Sequence, residues 1–139
     1  MILSGQAIIE EVLNGNISIT PFDEAQVSPN SYNYRLDNHI SYFDSQLNIL
    51  IEKVIPSEGL KLVPQQLYLA NSLESIKSAK YFTILIGRSS VGRLGLFVQV
   101  SSDYNELTCS HTLELRCVQP IIVYPYMAVG QVSFWGSEK

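Results

Sequence analysis

The sequence predicts a mainly β domain, either a sandwich or a barrel, with one short helix near its N-terminal end. Short apolar or alternating stretches recur along most of the 139 residues, and turn-forming residues separate them. Helical spacing of apolar residues is clear only near the start of the chain. The length suits one domain, so we expect residues 1–139 to fold as a single unit.

The composition supports a folded domain and argues against a nucleic-acid partner. Hydrophobic residues make up 46% of the chain and charged residues 16%, which is enough for a core and too little charge for disorder. The net charge of −4 leaves no basic face to follow a long phosphate backbone. A single small polyphosphate is still compatible, because two or three arginines can hold one.

No sequence feature directs the chain to a membrane or an oxidising compartment. Two cysteines are too few for a disulfide framework. No stretch approaches the ~20 consecutive apolar residues of a membrane span. The N-terminus lacks the pattern of a signal peptide. We therefore expect a cytoplasmic protein with no membrane partner.

The first element is a short helix that begins after Ser4. Ser4 can accept a hydrogen bond from the first turn, while Ala7, Ile8 and Val12 recur at helical spacing. Asn14–Gly15 then supplies the left-handed residue that ends the helix.

Eight further segments are predicted to be strands, because each is apolar or alternating and is bounded by turn residues. These segments are Ile17–Ile19, Ser31–Leu36, Leu67–Ala70, Phe82–Ile86, Leu94–Val100, Thr112–Val118, Ile121–Tyr124 and Val132–Trp135. In the second segment, alternation places Tyr32, Tyr34 and Leu36 on one face. Asp37–Asn38 is predicted to be a turn that ends this strand. Residues 39–55 mix strand and loop without clear boundaries.

The segment Gly87–Arg93 is the first candidate site. Ser89 and Ser90 are small enough for an anion to approach the backbone, and Arg88 and Arg93 add forked, charge-assisted donors. Their spacing suits a short helical turn, so we expect the two guanidiniums near one face. The segment is not a Walker A loop, because the spacing differs and no Lys follows. On residue types alone, a solvated surface turn is the stronger interpretation.

Glu114 is the second candidate. Strand alternation places Thr112, Glu114 and Arg116 on one face, with Leu113 and Leu115 on the other. A carboxylate in such a position could sit in a partly desolvated pocket, and desolvation raises the pKa of a carboxyl toward the range useful for proton transfer. On residue types alone, a solvent-facing strand with a weak Glu114–Arg116 contact is the stronger interpretation.

A zinc site of the kind used by many base deaminases is not predicted. That pattern is H-x-E followed by P-C-x-x-C, and the sequence contains neither H-x-E nor C-x-x-C. Cys109, His111 and Cys117 form an incomplete ligand set with no evident fourth ligand. We therefore predict no metal bound by the protein's own side chains.

Seven blocks, in the same order, resemble the dCTP deaminases, a branch of the dUTPase-like trimeric nucleotide enzymes. The blocks are Met1–Ser4 with the helix after it, Ile19–Asp23, Pro29–Leu36, Tyr68–Glu74, Gly87–Leu96, Thr112–Leu115 and Pro120–Phe134. Gly87–Leu96 is close to the family's most distinctive run, and Thr112–Leu115 matches the block that holds its catalytic glutamate. Because the resemblance covers essentially residues 1–135, it outweighs the two surface interpretations above.

The resemblance implies a distorted jelly-roll-like β-barrel or sandwich of the dUTPase-like fold. It also implies a homotrimer with active sites shared between subunits, and a pyrimidine nucleotide as ligand. The implied reaction is metal-independent hydrolytic deamination of a cytosine nucleotide, dCTP or a related pyrimidine nucleotide, to its uracil form. A magnesium ion, where the family has one, is carried by the triphosphate and needs no dedicated protein ligands.

The resemblance also implies roles for individual residues. Glu114 takes a proton from the water that attacks C4 of the cytosine, and then delivers protons toward the ring nitrogen and the departing ammonia. Ser89 and Arg93 position the water and stabilise the developing charge. Arg88, Ser89 and Ser90 correspond to positions that bind the nucleotide and its phosphates.

Two segments depart from the family pattern. Ser101–Ser110 lacks the Ile-Asp-Pro-Gly-x-x-Gly-like hairpin that shapes the family's sugar and base pocket, so we expect an altered pocket. The sequence also ends at Lys139, without the C-terminal tail that closes over the nucleotide in the family. We expect a triphosphate to be held more weakly, which leaves a monophosphate or a nucleoside open as substrate.

Two other functions stay open. A catalytically inactive nucleotide-binding or regulatory trimer of the same fold would show nucleotide-dependent stabilisation without ammonia release. A dUTPase-like pyrophosphatase is the weaker alternative. The catalytic Asp of that branch belongs to a Gly-x-Ile-Asp-x-x-Tyr block, and Asp103–Tyr104 is only a partial match to it.

Overall fold

Strands form most of the chain. The computed structural model describes residues 1–105 and 110–136, with the side chains of residues 1–101 and 110–136. The helical elements of these residues are α1 (Gly5–Leu13), a 3₁₀ turn (Glu24–Gln26) and α2 (Ser89–Gly92). The strands are β1 (Ser18–Thr20), β2 (Val27–Ser28), β3 (Ser31–Asp44), β4 (Ile49–Val54), β5 (Leu60–Leu62), β6 (Tyr68–Ser72), β7 (Ser75–Lys77), β8 (Phe82–Gly87), β9 (Leu96–Asn105), β10 (Ser110–Cys117), β11 (Ile121–Val123) and β12 (Ala128–Trp135).

The N-terminal helix begins and ends where the sequence predicts. The Ser4 hydroxyl accepts a hydrogen bond from the Ala7 N–H at 3.2 Å, so Ser4 is the N-cap. Asn14 is the C-cap, and Gly15 follows with a φ of +80°. Ile8 is fully buried and joins the helix to the core.

The main sheet curves into a nearly closed barrel. Its strands follow the order β8-β12-β3-β6-β10-β9, with β2 and β4 also paired to β3. The two ends of this path, β8 and β9, lie against each other. A Cβ atom on Gly87 of β8 would lie 3.1 Å from the Val98 carbonyl oxygen of β9. The predicted fold class, a mainly β barrel with a short N-terminal helix, is confirmed.

Each of the eight predicted strand segments overlaps an observed strand. The predicted alternation in β3 is also confirmed, because Tyr32, Tyr34 and Leu36 are all fully buried. They contribute to a single core inside the barrel. Besides these three residues, the large and fully buried side chains of this core include Phe134, Ile17, Ile40, Leu62, Ile76, Leu96, Leu113 and Leu115.

The turn predicted at Asp37–Asn38 is wrong, because β3 continues through both residues to Asp44. The pairing of β3 with β6 shifts register between Leu36 and Ile40, which marks a β-bulge. The strand pairs with β12 before this shift and with β4 after it. The small polar residues therefore bend a continuous strand as it changes partners.

The strands β5 and β7 are among the short strands that the sequence does not predict. Each has three residues, and each is defined by pairing with a distant segment: β5 with β11, and β7 with β1. A strand of this length has too few residues to show alternation, so long-range pairing decides its existence.

Neither described helix has the length and apolar content that crossing a bilayer would require.

Candidate active site

Glu114 lies in the middle of β10, with β6 on one side and β9 on the other. It is in register with Leu69 of β6 and Gln99 of β9. Its chain neighbours Leu113 and Leu115 are fully buried in the core. Since successive side chains of a strand point to opposite faces, Glu114 points to the outer surface of the barrel. The alternation predicted for this strand is confirmed.

Two adjoining depressions occupy this part of the outer surface. The smaller one, of about 210 Å³, is lined by Glu114 and by Phe97, Val98, Gln99 and Arg116. The larger one, of about 620 Å³, shares Phe97, Gln99 and Arg116 with it and extends to further side chains, namely Gln65, Gln66, Leu67, Cys117 and Val118. This second volume lies within the range of small-molecule sites, roughly 300–1,000 Å³.

The Glu114 carboxylate is available to a ligand. Within the described residues it accepts no hydrogen bond, and it is absent from the four ion pairs that these residues form. The Glu114–Arg116 contact considered from the sequence is therefore not formed. A half-buried carboxylate with unused acceptor sites can bind a water molecule or a protonated ring nitrogen.

The segment from Gly87 to Arg93 joins β8 to β9. Arg88 caps α2, which is a single helical turn, and Arg93 follows it directly. The turn is attached to the core by the buried Val91 and by the Arg88 N–H, which donates to the Val129 carbonyl oxygen at 3.0 Å. The predicted short helical turn is confirmed. That the two guanidiniums share one face stays a prediction.

The remaining side chains of this turn are open to solvent. Ser89, Ser90 and Arg93 are exposed, and Arg88 is half-buried. In the described part of the chain, neither arginine is ion-paired with a carboxylate. Their charge-assisted donors are therefore free for an anionic ligand.

One chain does not bring the two candidate sites into contact. No hydrogen bond or ion pair among the described residues joins Glu114 to Ser89 or Arg93, and strand β9 lies between the two regions. Within one subunit, the carboxylate and the hydroxyl–arginine turn are separate features.

The incomplete zinc ligand set is only partly described. Cys109 lies outside the described residues. Cys117 is buried and His111 is half-buried, and burial raises the pKa of the Cys117 thiol and lowers the pKa of His111. Both shifts favour the neutral forms. No group of three or more potential metal ligands is placed together among residues 1–105 and 110–136. The segment Ser101–Ser110, where the sequence departs from the family, lies mostly outside the described side chains.

Sequence reasoning missed the residues that surround Glu114. Phe97 and Gln99 lie on the outer face of β9, because Leu96 is buried and the side chains alternate along the strand. That alternation was readable in the segment Leu94–Val100. What the sequence did not show is that β9 pairs with β10 at Glu114.

The fold is shared with a solved deaminase. A crystal structure of 2'-deoxycytidine 5'-triphosphate deaminase from Agrobacterium tumefaciens superposes with a TM-score of 0.78 at 23% sequence identity. The match covers 98% of this chain and 48% of the other, so this chain spans about half the length of that protein.

Sequence comparison then gives the family. A family model described as dCTP deaminase-like matches residues 2–137, and the chain belongs to this family. It is 41% identical to "dCTP deaminase, dUMP-forming" of Hathewaya histolytica, covering 99% of this chain and 84% of the relative. It is 42% identical to the protein of the same description from Clostridium beijerinckii, covering 96% of this chain and 82% of the relative. It is 38% identical to "dCTP deaminase" of Rhodopirellula baltica, covering 97% of this chain and 72% of the relative.

Proposed function

We propose that this protein is a dCTP deaminase that releases dUMP. The observation that carries the proposal is the unpaired Glu114 carboxylate, which opens into a surface depression at the position of the family's catalytic glutamate. Relatives about 40% identical over nearly the whole chain bear the description "dCTP deaminase, dUMP-forming". This supports catalysis over the alternative of an inactive nucleotide-binding trimer.

The proposed product requires two hydrolytic steps. In the first, water adds to C4 of the cytosine, and the bond from C4 to the exocyclic amino nitrogen breaks. Ammonia leaves, and a uracil ring remains. In the second, water cleaves the bond between the α- and β-phosphates, and pyrophosphate leaves the monophosphate. The balance is dCTP and two water molecules giving dUMP, ammonia and pyrophosphate. No electron is transferred, so the reaction needs no oxidant or reductant.

In this proposal Glu114 is the general acid and base. Its carboxylate removes a proton from the attacking water, then passes protons to the ring nitrogen and to the departing amino group. Ser89 and Arg93 position the water and stabilise the charge that develops on the tetrahedral intermediate. The free acceptors of Glu114 and the free donors of Arg93 support these assignments.

Arg88, Ser89 and Ser90 bind the phosphates in this proposal. Helix α2 presents two hydroxyls beside the Arg88 guanidinium, which no carboxylate of the described residues neutralises. Any Mg²⁺ is brought by the triphosphate itself and needs no protein ligand set.

We further propose that the active site is completed by a second copy in a homotrimer. Three large apolar side chains face outward on β8, where Phe82, Ile84 and Ile86 are 70%, 48% and 55% exposed. An apolar face of this kind marks an interaction surface. Because β8 leads directly into Gly87–Arg93, a copy packed there would lie beside α2. It could then bring its own Glu114 to Ser89 and Arg93.

The deciding experiment is ammonia release from the purified protein. The substrates are dCTP, dCMP, CTP, CMP and cytidine, each with and without Mg²⁺, and chromatography distinguishes dUMP from dUTP as the product. We expect ammonia and pyrophosphate from dCTP. We expect Glu114→Gln to lower the rate by roughly 10²–10⁴-fold, the usual contribution of a general acid or base. Glu10→Gln, which changes an exposed glutamate of α1, is the matched control.

Light scattering of the same preparation tests the assembly, with an expected mass about three times the chain mass of 15.6 kDa. Nucleotide that raises the melting temperature without ammonia release from any substrate would favour the binding module instead. Activity that survives in Glu114→Gln would contradict the assigned mechanism, and the mass of a monomer would contradict the shared active site.

A further inference from the structure

We infer that Tyr34 is a positioning residue for the turn that carries Ser89 and Arg93, and that it acts through a hydrogen bond to the end of β8. Tyr34 lies in the core, and its hydroxyl bonds to the residue that precedes Gly87–Arg93. This inference rests on the proposed function, because it concerns the same turn.

The Tyr34 side chain spans three neighbouring strands. Tyr34 of β3 is paired with Gly130 of β12, and Gly130 is paired with Gly87 of β8. A Cβ atom on Gly130 would lie 2.0 Å from Cζ of Tyr34 and 2.1 Å from its hydroxyl oxygen. The ring therefore crosses β12 at a place where only glycine leaves room. Beyond β12, the hydroxyl donates to the Ile86 carbonyl oxygen at 3.0 Å.

This bond is made just before the candidate turn. Ile86 is followed by Gly87, the last residue of β8, and then by Arg88, the cap of α2. Gly87 has no side chain of its own to restrict its backbone, so the direction of the turn depends on anchors on either side. One anchor is the Arg88 N–H, which donates to the Val129 carbonyl oxygen at 3.0 Å. A second lies before Gly87, where the Tyr34 hydroxyl bonds to Ile86, and the buried Val91 holds the far end of the turn.

Packing alone does not account for the hydroxyl. Tyr34 is fully buried, and burial raises the pKa of its phenol. A phenylalanine would fill nearly the same space without a polar atom. Burying the tyrosine hydroxyl costs free energy unless the hydroxyl is hydrogen-bonded. Within the described residues, the bond to Ile86 is the hydroxyl's one hydrogen bond. The hydroxyl thus fixes a particular backbone position rather than filling volume.

The test compares Tyr34→Phe with Tyr68→Phe. Tyr68 is also buried, and its hydroxyl also bonds to backbone, accepting from the Val63 N–H at 3.0 Å, but it makes no contact with β8 or α2 among the described bonds. Each change removes one buried hydroxyl and keeps the ring, so we expect both variants to fold with similar small decreases in melting temperature.

Only Tyr34→Phe should affect the turn. We expect its kcat for dCTP deamination to fall by about tenfold, because small misplacements of catalytic groups are costly. We expect KM to change by less than about threefold, because the attraction between arginine and phosphate charges falls off only gradually with distance. We also expect amide hydrogen exchange at residues 88–93 to become about tenfold faster in Tyr34→Phe and to stay unchanged in Tyr68→Phe.

The two readouts separate this inference from the proposed function. If the unmodified protein releases ammonia and the two variants behave alike in kcat and in exchange, Tyr34 has no positioning role and the proposed function stands. If the unmodified protein releases no ammonia, the proposed function fails, and the exchange comparison alone decides the role of Tyr34. Faster exchange confined to Tyr34→Phe would then support it, and equal exchange would overturn it.

Discussion

Glu74 and Glu114 show how one residue type serves two purposes in this molecule. Both lie in blocks that resemble the dCTP deaminase family, and residue type alone does not separate them. The structure gives them opposite surroundings. Glu74 is fully buried and Glu114 faces the outer surface of the barrel.

The Glu74 carboxylate has its acceptor sites filled by the protein. One oxygen accepts the Arg35 backbone N–H at 2.8 Å, and the other accepts Arg35 Nε at 2.8 Å and the Tyr32 hydroxyl at 3.0 Å. These bonds connect the segment between β6 and β7 to β3. Because all the partners are internal, this carboxylate stabilises the fold and is closed to a ligand.

Glu114 has the complementary arrangement, with a fixed backbone and a free side chain. Its backbone lies between two strands, and its neighbours in sequence are anchored in the core. The carboxylate itself is unpaired within the described residues. The availability of acceptor atoms thus distinguishes a structural carboxylate from a candidate catalytic one.

The largest effect on folding is expected from Glu74→Gln. Without the Glu74 charge, Arg35 keeps only its longer ion pair to Asp23, at 3.5 Å, and breaking a buried pair costs about 3–5 kcal/mol. We expect the free energy of unfolding in urea to fall by about 3 kcal/mol, since glutamine keeps one acceptor oxygen. Protein concentration is held fixed, because assembly contributes to apparent stability. Glu52→Gln, on the exposed face of β4, is the control, and an equal loss there would contradict the role given to Glu74.

A third glutamate tests the comparison at the surface. The Tyr81 hydroxyl, followed by the side chains of Asn14, Asn16 and Lys80, lowers the pKa of Glu11 from its ordinary 4.5 to about 2. A lowered carboxyl pKa adds stability above the unfolded value, and this stability is lost as pH falls through the folded value. The melting-temperature difference between the native protein and Glu11→Gln should thus be constant above pH 4.5 and shrink from there toward pH 2.

The control is Glu10→Gln, which changes the exposed neighbour in the same helix, and a pH dependence equal to that of Glu11→Gln would contradict the role given to these hydrogen bonds. A difference for Glu11→Gln that stays constant down to pH 2 would show that these hydrogen bonds do not favour the charged form.

The smallest effect on folding is expected from Glu114→Gln. This carboxylate has no partner to lose in the described chain, so the free energy of unfolding should change by less than about 0.5 kcal/mol, as for ordinary surface substitutions. Urea unfolding measured beside the Glu74→Gln series gives the direct contrast. A decrease in the free energy of unfolding close to that of Glu74→Gln would mean that Glu114 is structural. The lower activity of Glu114→Gln would then result from unfolding.

Several features of the fold were predictable from local sequence. Ser4 and Asn14–Gly15 predicted both ends of α1, because capping depends on residues adjacent in the chain. Alternation predicted the buried faces of β3 and β10, because strand geometry fixes which side chains share a face. The bulge at Asp37–Asn38 was mistaken for a turn, because small polar residues suit both and only pairing with distant strands decides between them.

The strand faces could be read from alternation along the chain. The family and the candidate residues Arg88, Ser89, Ser90, Arg93 and Glu114 came from the resemblance of seven sequence blocks to the dCTP deaminases. The three-dimensional packing of the strands was needed to show that Arg35 and Tyr32 fill the acceptor sites of Glu74, while those of Glu114 stay open. It also decided that Tyr34 reaches across Gly130 to Ile86. Hydrogen bonds between residues about 40 to 50 positions apart depend on strand order and register, which no local pattern encodes.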